Sequence, residues 1–110
     1  MKLATFFKEV WSRPHVGRVE GDAIVDLSGS GLPTEMSALL AAGPDAIKLA
    51  ATADGTLMAL TDVSLCSPVL RPPKILAIGL NYKDHIEETG LDTPNFPMFF
   101  NKQVTAANAP

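Results

Sequence analysis

A chain of 110 residues is long enough for one ordinary domain, or for one small domain and part of another. Its 46% hydrophobic content suits a globular protein, and a net charge of −3 without a basic tract argues against nucleic acid as a partner. Cys66 is the only cysteine, so we expect no internal disulfide and a reducing, cytoplasmic location. No run approaches the ~20 apolar residues of a membrane-spanning helix, so no membrane partner is expected.

Residues 1–67 are predicted to form a small N-terminal α+β domain. It begins with the β-prone run KLATFF, and HVGRVEGDAIVDLS predicts two strands joined by a turn around Gly21. Two helices are predicted in LPTEMSALLAAG and PDAIKLAATADG, with Thr34 capping the first and Gly43 ending it in the left-handed conformation. The alternating pattern of TDVSLCSP predicts a final strand.

Residues 68–73 contain three prolines and are the predicted linker. After them, KILAIGL is nearly all apolar, as in a strand covered on both faces. NYKDHIEETG then predicts a short helix with Asn81 as its cap and Gly90 as its end, and MFFNK predicts another strand. Residues 74–110 therefore hold too few elements to bury their own apolar faces, and we expect a truncated domain or a partner that completes it.

His85 and Glu88 are the candidate catalytic pair, because positions three apart on a helix face the same way. A carboxylate beside an imidazole fixes its tautomer and raises its basicity, so such a histidine can act as a general base. The alternative is a solvated ion pair on a helix surface. His15, by contrast, is expected to be an exposed strand residue without a catalytic role.

A resemblance to a known family favours the catalytic interpretation. RPPKILAIGLNYKDHIEETG, followed by PMFFNKQVTAANAP, resembles the fumarylacetoacetate hydrolase family. The matching positions of the two segments are Gly79, Asn81, Tyr82, Asp84, His85 and Glu88, then Pro97, Phe99, Phe100 and Lys102. Residues 1–67 also look like the small N-terminal domain of this family.

The resemblance implies an α+β fold in which the small domain precedes a mixed β-roll catalytic domain, here represented by its first elements. It implies a Mg²⁺- or Mn²⁺-dependent enzyme, often a homodimer, acting on acylpyruvate-like or 2-oxo dicarboxylic acids. The reaction would be C–C hydrolysis, decarboxylation or isomerisation through a metal-bound enolate. By the same resemblance, His85 is the general base, Glu88 orients it, and Asn81, Tyr82 and Lys102 bind substrate.

One element of the family pattern has no counterpart in this chain. The family binds its metal through a Glu-x-Glu pair, whereas Glu87 and Glu88 are adjacent and Glu20 and Asp22 flank a hairpin turn. No metal ligand is therefore assigned among the 110 residues, and the ligands are expected beyond Pro110. We expect the 110 residues alone to be inactive, and the alternative function is a non-catalytic truncated fragment or interaction module that lacks the metal site.

Overall fold

A computed structural model describes residues 1–108 of the chain. These residues form two compact units, whose continuous parts are Met1–Arg71 (the first unit) and Pro72–Ala106 (the second unit). The division falls inside the proline-rich segment 68–73. The end of the predicted segment 74–110, Ala109 and Pro110, lies outside the described residues. Within residues 1–108, no helix is both long enough and apolar enough to cross a membrane.

The first unit is a five-stranded antiparallel sheet with two helices. Its strands are β1 (Lys2–Phe7), β2 (His15–Glu20), β3 (Ala23–Asp26), β4 (Thr56–Ala59) and β5 (Ser64–Leu65), in the order β4-β3-β2-β1-β5. Its helices are α1 (Met36–Ala41) and α2 (Pro44–Thr52), with a 3-10 turn at Leu60–Asp62. The register places Lys2 opposite Val19 and Arg18 opposite Val25. The strands predicted on either side of Gly21 therefore pair as a hairpin.

The predicted helix boundaries are wrong at both ends of α1. Its N-cap is Glu35 rather than Thr34, without a side-chain capping bond, and its C-cap is Ala42. Gly43 has φ 87° and ψ −173°, and serves as the N-cap of α2. Its ψ is extended because Pro44 follows, and a proline disfavours helical ψ in the residue before it. The chain thus passes from α1 to α2 without a left-handed C-cap.

The end of the first unit also differs from the prediction. The stretch TDVSLCSP was predicted as a strand, but only Ser64–Leu65 pairs with β1, and the residues before it form the 3-10 turn. The strand β4 was not predicted; it pairs with β3 along Thr56–Ala59. Neither strand is set by its own periodicity, because both lie at sheet edges and depend on a partner distant in the chain.

Both helices contribute to an apolar core that also includes residues of β2 and β3. Its buried members are Val16, Val25, Leu27, Leu32, Met36, Leu39, Ala50 and Ala53. Arg18 joins the two layers, because its Nη1 donates hydrogen bonds to the carbonyl oxygens of Ala50 at 2.7 Å and Ala53 at 2.9 Å. The last carbonyls of a helix have no partner within the helix, so these bonds satisfy two oxygens at the end of α2.

Residues on the other side of the sheet pack around Gly17. Phe6 and Ile24 are fully buried. A Cβ placed on Gly17 would lie 2.6 Å from Cγ1 of Ile24 and 2.8 Å from Cε1 of Phe6. The absence of a side chain at Gly17 therefore lets these two side chains approach the strand backbone.

His15 is half-buried, so the expectation of an exposed residue is wrong. Its Nδ1 lies 2.9 Å from Oδ2 of Asp26, and its ring stacks on Trp11 with 4.0 Å between ring centroids. Phe6 packs edge-on against Trp11. The sequence offered no local signal for this contact, because Asp26 comes from the neighbouring strand and Trp11 from the preceding loop.

The second unit is a strand–helix–strand segment with no buried residue between positions 72 and 106. It contains β6 (Ile75–Gly79), α3 (Lys83–Thr89), β7 (Met98–Lys102) and a 3-10 turn at Val104–Ala106, and β6 and β7 pair antiparallel. Leu76 and Ile78 are exposed, so residues 1–108 do not cover β6 on both faces as its apolar sequence predicts. The N-cap of α3 is Tyr82 and not Asn81, whereas Gly90 ends the helix in the left-handed conformation, as predicted.

Replacing Arg18 by methionine should destabilise the first unit by about 2 kcal/mol, because two carbonyl oxygens lose a charged donor. Urea unfolding followed by circular dichroism measures the change. The matched control is Lys48→Met, which removes a cation whose ion pair with Asp45 is largely exposed and should cost less than about 0.5 kcal/mol. Equal effects of the two substitutions would show that the Arg18 bonds do not hold the layers together.

Replacing Gly17 by alanine should cost about 1–3 kcal/mol, because the new methyl group overlaps Ile24 and Phe6. The control is Gly29→Ala, since a Cβ at Gly29 meets no atom within 4 Å. Thermal unfolding of the two variants beside the wild type gives the comparison. A Gly17→Ala protein as stable as the Gly29→Ala protein would contradict the close approach seen around Gly17.

Candidate active site at the end of strand β6

The candidate site begins where β6 ends and the chain turns into α3. Leu80 follows the last residue of β6 and has φ 51°, which makes it the one residue other than glycine with positive φ within positions 1–108. This conformation is unfavourable for a residue with a side chain and is found disproportionately at functional sites. It sets the direction of the two residues before α3, Asn81 and Tyr82, and both are exposed.

The structure brings His85 and Glu88 together on α3. Nδ1 of His85 lies 3.9 Å from Oε2 of Glu88, with 58% and 79% of the side chains exposed. This distance is an ion-pair contact and exceeds that of a hydrogen bond. The same helix carries a second pair, Lys83 and Glu87, at 3.8 Å. Helical spacing therefore accounts for both pairs, and the distance by itself does not distinguish the histidine pair from an ordinary surface pair.

Lys102 lies at the other end of the hairpin from α3. It is opposite Ile75, the first residue of β6, whereas Met98 is opposite Gly79, the last. Lys102 is four positions after Met98, which corresponds to about 13 Å along the strand. Nζ of Lys102 lies 5.5 Å from the ring centroid of Phe100. The structure thus keeps Asn81, Tyr82, His85 and Glu88 in one continuous segment and leaves Lys102 apart from it.

A cavity of about 490 Å³ lies beside this segment, between the end of β6, α3 and the loop before β7. Apolar side chains such as Ile78, Ile86 and Phe96 line it, together with Asn81 and Lys83. His85, Glu88, Tyr82 and Lys102 do not line it. Sequence reasoning missed Lys83, although a cation directly after Asn81 and Tyr82 was a signal for a residue that could contact an anionic substrate.

The side chains that could hold a metal are dispersed. Within residues 1–108 there is no group of three or more His, Cys, Asp or Glu side chains placed to bind a metal ion. The pair His85 and Glu88 supplies two ligands at most, and Asp84 and Glu87 do not complete a set with it. The described residues do not by themselves fit a Mg²⁺ or Mn²⁺ ion.

The chain is thus a small α+β domain followed by a strand and a short helix, and the helix carries a histidine and a carboxylate side by side. No protein-family model matches the chain. The chain is 34% identical to the mitochondrial oxaloacetate tautomerase Fahd2a of Rattus norvegicus over an alignment 109 residues long, which covers 93% of the chain and 35% of that protein. It is 26% identical to fumarylacetoacetate hydrolase domain-containing protein 2 of Pongo abelii, over all of the chain and 37% of that protein.

A crystal structure of an HpcE-like protein from Mycobacterium smegmatis matches the chain with a TM-score of 0.73 and 26% identity. The match covers 93% of this chain and 36% of the Mycobacterium chain. The chain therefore belongs to the fumarylacetoacetate hydrolase family, which confirms the resemblance and the α+β fold class. It spans a little more than a third of the length of the relatives that it matches.

Amides of β6, β7 and α3 should exchange with deuterium much faster than those of β1, β2 and β3, because the second unit has no buried residue and a two-stranded ribbon is marginally stable alone. Hydrogen exchange of the 110-residue chain, read by NMR at two protein concentrations, measures this. Equal protection of both sheets at both concentrations would contradict the expectation. Protection that increases with concentration would show that a second copy covers the hairpin.

Proposed function

We propose that this chain supplies the general base of an enzyme that acts on acylpyruvate-like or 2-oxo dicarboxylic acids. The observation that carries the proposal is the position of the pair: His85 and Glu88 lie on the helix that directly follows β6 and Leu80, the residue with positive φ. The name of the rat relative supports the substrate class, because oxaloacetate is a 2-oxo dicarboxylic acid. Among hydrolysis, decarboxylation and isomerisation, that name favours isomerisation, which moves a proton between carbon and oxygen.

The geometry suits proton transfer by His85. Glu88 lies near Nδ1, so it favours the tautomer with a proton on Nδ1 and leaves the lone pair of Nε2 free to accept a proton from substrate. The exposure of the imidazole allows a substrate to reach it. The contact must shorten by about 1 Å to become a hydrogen bond, and such bonds often tighten only when substrate is bound.

Asn81 and Tyr82 are the proposed substrate contacts, because they precede α3 and are exposed beside the same segment. Lys102 was assigned the same role by family resemblance. Its position opposite Ile75, about 13 Å along the strand from the end of β6, does not support a contact with the same small substrate. Lys83, which lines the cavity beside α3, is a better placed cation.

The proposed cofactor is Mg²⁺ or Mn²⁺, and the proposed assembly is a homodimer. Ligands for the metal would have to come from residues other than 1–108, because these residues hold no group of three or more side chains placed to bind an ion. We propose that the 110 residues alone are inactive for the same reason. A cytoplasmic location stays a prediction, and the rat relative is named as mitochondrial.

A chimera of the rat relative tests the proposal. The aligned segment of this chain, 93% of its length, replaces its counterpart in Fahd2a, and the conversion of enol to keto oxaloacetate is followed by the loss of enol absorbance with Mg²⁺ present. His85→Gln in the chimera should reduce kcat by about 10²–10⁴, as expected for loss of a general base. Glu88→Gln should reduce it by about tenfold, as expected for a group that orients the base.

The matched control is Glu87→Gln, which removes the carboxylate of the neighbouring pair on the same helix and should leave kcat unchanged. Loss of activity in the control equal to that in His85→Gln would show a structural effect of α3 and contradict the base assignment. A folded chimera that is inactive with His85 present would favour the alternative of a non-catalytic module. Unchanged kcat in His85→Gln would exclude His85 as the base.

A further inference from the structure

A second cavity, of about 130 Å³, lies wholly within the first unit. It is bounded by β1, by the loop before β2, by the start of α1 and by the segment after β5. Met36 and Leu70 supply apolar surface, and Pro14 and Pro68 supply stiff backbone at its sides. None of the residues proposed above for catalysis lines it.

The cavity has a positive local charge in an acidic protein. Arg13 and Arg71 line it together with a single carboxylate, Glu35, which leaves one net positive charge, whereas the whole chain has a net charge of −3. Within residues 1–108, neither guanidinium forms an ion pair. Two guanidinium groups without a carboxylate partner are free to bind an anion, and their planar donors suit a carboxylate in particular.

One wall of the cavity is held by a hydrogen bond. Thr5 is buried, and its hydroxyl donates to the carbonyl oxygen of Pro68 at 2.6 Å. The backbone of Cys66 also donates to the carbonyl oxygen of Thr5 at 2.8 Å. These two bonds tie the segment that carries Leu70 and Arg71 to β1. The cavity is thus partly formed before any ligand binds, which lowers the entropic cost of binding.

The volume restricts the ligand to a few heavy atoms. An engineered cavity of about 150 Å³ accommodates benzene, which has six carbon atoms. A cavity of about 130 Å³ therefore holds a ligand of similar or slightly smaller size. A four-carbon monocarboxylate has six heavy atoms and combines one negative charge with a short apolar chain. Its negative charge is opposite in sign to the net charge of the lining, and its short chain suits the apolar surface of Met36 and Leu70.

We propose that this cavity binds a small organic monocarboxylate. Arg13 and Arg71 hold the carboxylate, the chain lies against Met36 and Leu70, and the hydroxyl groups of Thr34 and Ser37 are additional donors. The proposal goes beyond the activity proposed for His85 and does not depend on it.

Butyrate and its neutral analogue butyramide test the proposal on the unmodified 110-residue chain. Both are titrated at constant ionic strength, and the backbone amide shifts of Thr34 and Ser37 are followed by NMR. Butyrate should give saturable shifts with a Kd at least about tenfold below that of butyramide, since the carboxylate gains charge-assisted bonds. Shifts that do not saturate, or equal binding of the two compounds, would overturn the proposal. Inorganic phosphate that binds as tightly as butyrate would also overturn it, in favour of a general anion site.

Two substitutions in the lining, with opposite expected effects on butyrate affinity, test whether the cavity is the binding site. Arg71→Met should weaken butyrate binding by about tenfold or more, and Glu35→Gln should strengthen it several-fold, because it removes the one negative charge of the lining. Glu35 makes no side-chain capping bond, so this change preserves the start of α1. Lys48→Gln, which removes a cation outside the cavity, is the matched control and should leave Kd unchanged. An equal loss in the control, or no response to both lining substitutions, would contradict the assignment.

Discussion

Burial of apolar surface requires two layers, and the first unit of this chain supplies both. The helices α1 and α2 share an apolar core with β2 and β3, and Arg18 fixes the end of α2 to the sheet through two carbonyl oxygens. Every buried residue within positions 1–108 lies in this unit. The opposite face shows the same principle, since Phe6 and Ile24 are buried around Gly17.

The second unit has one layer and no buried residue, so its candidate site depends on local geometry and not on packing. The segment around α3 carries its functional groups in order along the chain, so local geometry alone brings His85 next to Glu88. A neighbouring pair on the same helix, Lys83 and Glu87, lies at nearly the same distance and shows that proximity is not evidence of catalysis. Membership of the fumarylacetoacetate hydrolase family and the left-handed Leu80 are the independent reasons to treat the histidine pair as functional.

The two candidate sites differ in how the fold creates them. The pair on α3 lies within a single short segment, and helical spacing in the sequence predicts it without a structure. The cavity between β1 and α1 joins Arg13, Glu35 and Arg71, which are far apart in the chain and share no motif. Only the pairing of strands and the bond between Thr5 and Pro68 bring them to one place. Such a cavity has no signature in the order of residues, because its lining is defined by tertiary contacts.

The sequence by itself determined what depends on neighbours along the chain: the hairpin around Gly21, the strand β6, the helix α3 with its end at Gly90, and the family. Tertiary structure alone decided the strand β4, the burial of His15 beside Asp26 and the distance of Lys102 from α3. The N-cap of α3 is Tyr82 rather than the predicted Asn81. The reason is that helical spacing and turn residues act over three or four positions, whereas strand pairing and burial are set by residues distant in the chain.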